Sequence, residues 1–314
     1  MVLVESESRK LHSIRLDPLS ERDFPLPAGA QRVMLDANGR SVTLVSRHEL
    51  YGLHAHHLDL TNPRSRARRL FHLEGHLLAT SNSEVLFAPF SFDQGRRFDP
   101  QDAPRYTSIV ARKLFRSASE TIFRFPKIDH RNRIFAIEGI RRVVLFVRDA
   151  ASNERRLIVY DRDSGRFRQY QHKTILIYPA EPGACLSHAE DYLVLLERRG
   201  GQLHLVRFDL ERGQSRALGL LPNAAAGHRG PVHALGVAAD NRTIWIHRGG
   251  ELILVNDRGK SRTSSLIRLA RAPKPNWTGK TYYFAPFDQF YFGIHPKKAA
   301  PYFMMVRRSA LAAP

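Results

Sequence analysis

The sequence is poor in several features, and each shortage excludes a class of protein. Cys185 is the only cysteine, so the chain cannot form an internal disulfide, as expected in a reducing compartment. No apolar run approaches the roughly 18 residues of a membrane span. The first residues lack the charged-then-apolar order of a signal peptide. No stretch of useful length has helical periodicity. These shortages predict a soluble, cytoplasmic, all-β protein that does not associate with membranes.

Acidic residues are scarce relative to basic ones. The 314-residue chain has 49 lysines and arginines against 30 aspartates and glutamates, a formal net charge of +19, and 40 of the 49 are arginine. Arginine suits bidentate contact with phosphate or carboxylate better than lysine does. A GC-rich genome would also favour arginine wherever a surface cation serves, but it would not explain the excess of cations over acids. That excess predicts an anionic partner.

Short apolar runs recur with a regular period. An apolar residue followed by aspartate ends such a run at Asp59, Asp161 and Asp209, and Asn256-Asp257 occupies the same place. The spacings of these aspartates are 102, 48 and 48 residues, so the first interval holds two periods of about 51. A turn-forming stretch follows each aspartate, and aspartate and glycine serve such turns by side-chain capping and by tolerating positive φ. Repeats of this length are typical of β-propellers.

First strands of the repeat are then predicted near Gln31, Leu77, Asn132, Glu181, Gly230 and Thr281. Six starts predict a six-bladed β-propeller that forms a single domain over residues 1–314.

The two ends of the chain suggest how the propeller closes. The last repeat lacks a fourth strand, whereas Lys10–Leu16 is strand-like and belongs to no repeat. We therefore expect residues 10–16 to pair with residues 302–307 and complete the last blade, which would close the ring and cover an exposed strand edge. Seven blades remain an alternative if the N-terminal 30 residues pack differently.

The repeat is clearest between Gly227 and Asp257. This segment opens with Gly227-His228, has a turn at Asp240 between its first two apolar runs, and ends its third run at Asn256-Asp257. It resembles a WD40 repeat, which has Gly-His, a turn aspartate and Trp-Asp at these places. Asn256 replaces the signature tryptophan, and His247 lies near where the family usually has serine or threonine. The resemblance implies a scaffold that binds other macromolecules through its faces.

No recognised catalytic or metal-binding motif is found in the sequence. His54, His56 and His57 are the tightest histidine group, but strand alternation puts His54 and His56 on one face and His57 on the other. Gly259-Lys260-Ser261 lacks the upstream glycine of a P-loop, and neither HExxH nor GxSxG occurs. Cys185 is interpreted as a buried small residue. The sequence therefore predicts no metal, no cofactor and no enzymatic activity, although the propeller fold alone excludes none of these.

Function is therefore predicted to lie on a surface. In a propeller the loops that join second to third strands emerge on one face, and each predicted blade has a cation there. These residues are Arg47, His48, Arg96, Arg97, Arg155, Arg156, Arg198, Arg199, Arg248, Lys297 and Lys298. Turns of the opposite face mix signs, and their acidic residues include Asp36, Glu84, Glu138, Glu190 and Asp240.

Three functions are compatible with this surface. We expect the basic face to bind an acidic protein surface, which makes the chain a non-enzymatic scaffold subunit of a multiprotein assembly. A nucleic-acid-binding propeller is the first alternative, because clustered cations attract any polyanion. A propeller enzyme with an unrecognised site is the second alternative.

Overall fold

The protein is built from antiparallel strands. The computed structural model describes residues 2–5, 10–16, 19–28, 30–35, 40–48, 52–81, 83–91, 105–116, 118–129, 133–149, 155–171, 183–199, 202–221, 232–265, 277–294 and 302–311. The strands are β1 (Val2–Glu5), β2 (Lys10–Leu16), β3 (Leu19–Pro25), β4 (Ala30–Leu35), β5 (Ser41–His48), β6 (Gly52–Asp59), β7 (Arg68–Thr80), β8 (Glu84–Ser91), β9 (Arg105–Lys113), β10 (Ser119–Asp129), β11 (Arg133–Glu138), β12 (Arg142–Arg148), β13 (Arg155–Asp161), β14 (Phe167–Gln171), β15 (Ala184–Leu186), β16 (Tyr192–Arg199), β17 (Gln202–Asp209), β18 (Ser215–Leu220), β19 (Val232–Val237), β20 (Ile244–Arg248), β21 (Glu251–Val255), β22 (Ser261–Ser265), β23 (Trp277–Phe284), β24 (Gln289–Ile294) and β25 (Tyr302–Arg307). Two single-turn 3-10 helices cover Ala285–Phe287 and Arg308–Ala310. Across this described part of the chain, no helix is long and apolar enough to cross a membrane.

The strands pair with their sequence neighbours in consecutive sheets. An amino-terminal sheet contains β1 to β3, and six further groups follow. Sheet 1 is β4 to β6 with the first half of β7, and sheet 2 is the second half of β7 with β8 to β10. Sheets 3, 4 and 5 are β11–β14, β15–β18 and β19–β22, and sheet 6 is β23–β25. The hairpin end of a sheet is where its second and third strands join, and the turn end is the opposite one.

The predicted first strands coincide with observed strands. They correspond to β4, the second half of β7, β11, β15, β19 and β23. The prediction of an all-β fold with repeated antiparallel sheets is confirmed, because turn residues and apolar runs recur at a period that the sequence shows directly. The blade number and the closure of the ring stay predictions.

The predicted pairing of residues 10–16 with residues 302–307 is wrong. In the structure β2 pairs with β1 on one side and with β3 on the other, for example Leu11 with Val4 and with Phe24. A strand has two edges, so β2 has none left for β25. The local meander has a physical advantage, because short loops close at a lower entropy cost than a contact across the whole chain. The N-terminal residues therefore do not pack as first expected. Different packing of these residues is the condition on which the seven-bladed alternative depends.

The chain divides into two compact units, Met1–Gln171 and His172–Pro314. In the first unit Leu11 and Phe24 of the amino-terminal sheet pack on Leu44 of sheet 1. The opposite face of sheet 1 packs on sheet 2 through Val45, and sheet 2 packs on sheet 3. In the second unit sheets 4, 5 and 6 pack in the same serial way. A single domain over residues 1–314 stays a prediction.

Repeated polar residues end the third strands, as the sequence predicts. The Oδ1 atom of Asp209 accepts hydrogen bonds from the backbone of Glu211 and Arg212 at 2.9 and 2.8 Å. Asp161 accepts from Ser164 in the same way, and Oδ1 of Asn256 accepts from the backbone of two residues in its turn. These caps satisfy backbone donors that the sheet cannot pair.

Candidate functional site

Every predicted basic residue that the structure describes lies at a hairpin end. Arg47 and His48 end β5, Arg155 and Arg156 begin β13, Arg198 and Arg199 end β16, and Arg248 ends β20. Arg96, Arg97, Lys297 and Lys298 lie outside the described residues. Arg156 and Arg248 also have neighbours within the chain. The guanidinium of Arg156 lies 5.7 Å from the Phe123 ring centroid, and Arg248 is the cross-strand partner of Glu251.

The hairpin ends of neighbouring sheets lie together within the first unit. Strand β7 passes without interruption from sheet 1 to sheet 2, and its residues Glu74 and Gly75 lie at the hairpin end of both. Strand β10 ends at Asp129, opposite Tyr106 at the hairpin end of sheet 2, and β11 begins at Arg133 at the hairpin end of sheet 3. Four residue steps span about 14 Å at most. One edge of this unit therefore collects the hairpin ends of three sheets.

The turn end has a different role in the first unit, because its carboxylates join neighbouring sheets. The Oε1 atom of Glu138 in sheet 3 accepts a hydrogen bond of 2.6 Å from the backbone of Thr80 in sheet 2. The buried Arg162 donates to the same carboxylate at 3.1 Å and to the Thr80 carbonyl at 2.9 Å. Glu84 of sheet 2 accepts from Tyr160 at 3.0 Å and from Lys113 at 2.6 Å.

Turn-end carboxylates join the sheets of the second unit as well. The side-chain oxygen of Asn241 in sheet 5 accepts from the backbone of Ala189 in sheet 4, and its amide donates to Asp191 at 3.3 Å. Arg308 donates to Asp240 of sheet 5 and to Asp288 of sheet 6. These turn-end carboxylates hold neighbouring sheets together, so the turn ends have a structural role.

A histidine cluster lies near the hairpin end of sheet 1. Ser46, His54 and His72 are direct cross-strand partners on β5, β6 and β7, so their side chains share one face. The rings of His54 and His72 are 4.8 Å apart, and those of His54 and His56 are 6.0 Å apart. As predicted, His57 lies on the other face, where it contacts Phe115. Sequence reasoning missed His72 and Ser46, because only strand register brings them to this face.

The histidine cluster runs from solvent into the sheet. The His72 side chain is 44% exposed, and its Nε2 lies 3.9 Å from Oε1 of Glu74. At the other end His56 is buried, with Nε2 at 2.9 Å from the hydroxyl of the buried Ser46. Burial lowers the pKa of His56, and nearby His54 and Arg69 lower it further, so this imidazole is neutral at physiological pH. Within the described residues, no three histidine, cysteine or carboxylate groups converge as metal ligands.

Two other sequence candidates are structural. Burial raises the pKa of the Cys185 thiol to about 12, so Cys185 remains protonated and is not a nucleophile. His247 is almost fully buried, and its two ring nitrogens lie 2.7 Å from the Thr281 hydroxyl and 2.9 Å from the Gly249 carbonyl. Since Thr281 belongs to β23, His247 joins sheet 5 to sheet 6. Gly227-His228 lie outside the described residues.

Comparison with known proteins supports the fold. No protein-family model matches the chain, and no curated protein matches it. Among solved structures, the chain is similar to a prolyl endopeptidase (TM-score 0.65, 12% identity, 98% of this chain and 46% of that one). It is also similar to a post-proline cleaving enzyme from Rickettsia typhi (TM-score 0.61, 8% identity, 97% and 49%). A third is an oligogalacturonate lyase in complex with manganese (TM-score 0.53, 12% identity, 94% and 82%).

These likenesses define an all-β fold of the β-propeller type. At such identities they show the fold alone, and they identify no WD40 family. The chain spans about half the length of the prolyl endopeptidase and of the post-proline cleaving enzyme.

The comparisons correct the functional prediction. The expectation of a non-enzymatic scaffold, and with it the expectation of no enzymatic activity, is wrong. That expectation was based on the absence of recognised catalytic motifs from the sequence, whereas the three similar structures are enzymes. Motifs such as GxSxG are local in sequence, but a site built from residues on neighbouring strands has no local signature. Binding of nucleic acid or of an acidic protein by the hairpin ends stays a prediction.

Proposed function

We propose that the chain is a propeller enzyme that acts on an acidic saccharide. The histidine cluster of sheet 1 is its acid–base site, and cations at the hairpin ends of the first unit hold the substrate. The observation that carries this proposal is the cluster itself. The exposed imidazole of His72 lies beside Glu74 and contacts His54, which in turn lies next to the buried His56. A cytoplasmic location is part of the proposal, since the single cysteine suits a reducing compartment.

The reaction class follows from combining an imidazole base with an excess of cations. A base that removes the proton next to a carboxylate needs nearby positive charge, because negative charge develops on that carboxylate. The electron pair of the broken C–H bond then forms a carbon–carbon double bond, the neighbouring C–O bond breaks, and the departing oxygen takes up a proton. This elimination needs no oxidant or reductant. An oligogalacturonate lyase that matches most of this chain supports the assignment.

The role of each group follows from its position. His72 is the base, because it is the exposed member of the cluster and Glu74 lies beside it. His54 lies next to it and receives or returns the proton. His56 and Ser46 are positioning residues, since both are buried and their hydrogen bond fixes the inner end of the cluster.

The test is an assay for unsaturated product. The full chain is incubated with polygalacturonate and a panel of other acidic polysaccharides, with and without added Mn²⁺, and ultraviolet absorbance of the double bond is followed. We expect turnover by the parent protein. His72→Gln should lower kcat by about a hundredfold or more with KM little changed, as for loss of a general base.

His204→Gln is the matched control, because His204 is a half-buried histidine on β17 in the other unit. It should keep the parental rate. Absence of product from every polysaccharide in the panel would show that the proposed reaction is wrong. An equal loss of rate in both variants would show that the histidine cluster is not the acid–base site.

A further inference from the structure

A β-bulge in β7 brings an arginine to the histidine cluster. Ala55 pairs with Phe71 and His56 pairs with Arg69, so Leu70 has no direct partner on β6. Leu70 and Phe71 both pack in the core that sheet 1 shares with sheet 2. A bulge shifts the alternation of side chains by one residue, and without it Arg69 would lie on the same face as Phe71. Arg69 instead lies on the face of the histidine cluster.

Arg69 and the proposed base His72 are neighbours on this face of β7. Their cross-strand partners are His56 and His54, which are two residues apart on β6. Two residues of a strand span about 7 Å, so the guanidinium and the imidazole are attached about this far apart. Both residues are exposed. In the proposed substrate the acidic C–H bond adjoins the carboxylate, so one sugar ring can contact both side chains.

The positive charge of Arg69 acts on the histidine cluster. Burial is the main cause of the lowered pKa of His56, and the charges of His54 and Arg69 add to it. The residues next to Arg69 along β7 are an arginine and a leucine, and its cross-strand partner is a histidine, so no carboxylate adjoins it in sheet 1. Glu74 lies beyond His72 along the strand, with Oε1 at 3.9 Å from Nε2 of that histidine. An anion bound at Arg69 would thus lie next to His72.

We propose that Arg69 binds the substrate carboxylate and stabilises the negative charge that develops on it when His72 removes the adjacent proton. The inference rests on the proposed function and assigns a further catalytic residue to that site. A guanidinium can hold a carboxylate through two parallel hydrogen bonds. Because negative charge on the carboxylate increases as the C–H bond breaks, this contact is stronger in the transition state than in the bound substrate. The electron pair then forms the carbon–carbon double bond, the C–O bond breaks and the departing oxygen takes up a proton, so no further reactant is needed.

The test compares polygalacturonate with its methyl-esterified form, using the full chain. An ester lacks the negative charge that Arg69 neutralises, so the arginine should matter less for its elimination. With polygalacturonate, Arg69→Gln should lower kcat by about a hundredfold, the usual scale for loss of one charge-stabilising donor. With the esterified polymer the loss should be much smaller. Arg69→Lys keeps the charge but not the paired hydrogen bonds, so it should recover part of the loss on polygalacturonate.

Arg68→Gln is the matched control. Arg68 is also exposed, precedes Arg69 in the chain and pairs with His57 on the other face of sheet 1. This variant removes the same charge from the same strand. It should keep the parental rate within about twofold on both polymers if net charge alone has little effect. Melting temperatures of both glutamine variants should match that of the parent, since both arginines are exposed.

Binding is measured apart from turnover in the His72→Gln background. The fluorescence anisotropy of labelled oligogalacturonate reports affinity, which Arg69→Gln should weaken about tenfold and Arg68→Gln should leave unchanged. If the parent releases no unsaturated product from any polysaccharide, the proposed function and this inference are both wrong. If the parent is active but the two glutamine variants lose rate and affinity equally, only the role of Arg69 is wrong. Equal losses of Arg69→Gln on the free and esterified polymers would also overturn that role.

Discussion

At the scale of single residues, side chains that bond within a few positions were predictable from the sequence. The sequence predicts a turn at Asp240, and the carboxylate of Asp240 accepts from the backbone of Arg242 and Thr243 at 2.9 Å each. Gly249 follows the second strand of the same repeat, and its φ is 55°, a conformation that suits glycine. Both the residue and its partner are visible in one short stretch of sequence, so the chemistry of the turn decides the outcome.

The long-range partner of Asp240 was not predictable. Its Oδ2 atom also accepts from Arg308, 68 residues away, and this contact with Arg308 holds the pKa of the Asp240 carboxyl well below its usual range despite partial burial. Asp240→Ala should therefore cost more than loss of a turn cap alone. We expect about 2 kcal/mol, of which about 1 kcal/mol is the cap.

Asp209→Ala is the matched comparison, because Asp209 caps its turn through two backbone bonds. It should cost about 1 kcal/mol. Urea denaturation of both variants measures the difference. Equal losses would show that the ion pair with Arg308 contributes nothing to stability.

His247 gives the folded protein a pH dependence. Burial lowers its pKa from 6.5 to about 4, and His233 contributes to the shift. The unfolded chain therefore binds a proton more readily than the folded one, so stability is complete above pH 6.5 and falls as the pH is lowered towards 4. Between pH 7.5 and pH 5 this group should remove on the order of 2 kcal/mol from the free energy of unfolding.

The His247→Gln variant tests this origin. Glutamine cannot titrate here but can still bond to Thr281 or Gly249. Its free energy of unfolding should be lower than the parent's at pH 7.5 and should change less between pH 7.5 and pH 5. The same pH slope in the variant and the parent would assign the dependence to other groups, such as His56.

At the scale of strands and sheets, periodicity predicted which segments pair but not how tightly they approach. Gly236 of β19 and Trp245 of β20 are direct partners. A Cβ atom on Gly236 would collide with the indole ring of Trp245. Trp245 is buried in the core between sheets 5 and 6. The glycine thus makes room for the largest side chain of that core, a relation that neither strand reveals alone.

A double-mutant cycle measures this contact between β19 and β20. Gly236→Ala should destabilise the parent by about 2 kcal/mol, because the ring must move within a packed core. In a Trp245→Leu background the same change should cost little, which gives a coupling energy of about 1–2 kcal/mol. Additive losses would mean that the alanine disturbs the backbone of β19 rather than the indole.

Element-scale prediction failed where local signals were weak. The segments Val2–Glu5 and Leu19–Pro25 are short or largely polar, and neither was recognised as a strand. Without them β2 had no local partners, so the sequence favoured a long-range closure that the structure contradicts. The histidine cluster could not be predicted in full for a similar reason. His54 and His56 were visible as neighbours, but His72 reaches them only through the register of β6 with β7.

At the scale of the whole molecule, charge reversal can distinguish the roles of the hairpin ends and the turn ends in binding. Arg155, Arg156, Arg198 and Arg199 lie at hairpin ends, and Arg141, Arg166, Arg212 and Arg258 lie at turn ends. Reversing either set to glutamate changes the formal net charge by eight, from +19 to +11. The two variants therefore match in total charge and differ only in where it is placed.

The hairpin-end variant should lose most of its affinity for oligogalacturonate at low salt, whereas the turn-end variant should lose little. Clustered cations raise the local potential and the association rate, and both effects fade as added salt shortens the Debye length to about 8 Å at physiological ionic strength. The difference in affinity between the two variants should therefore decrease as salt is added. Equal weakening of both variants would mean that attraction depends on net charge alone, and the hairpin ends would then have no special role in binding.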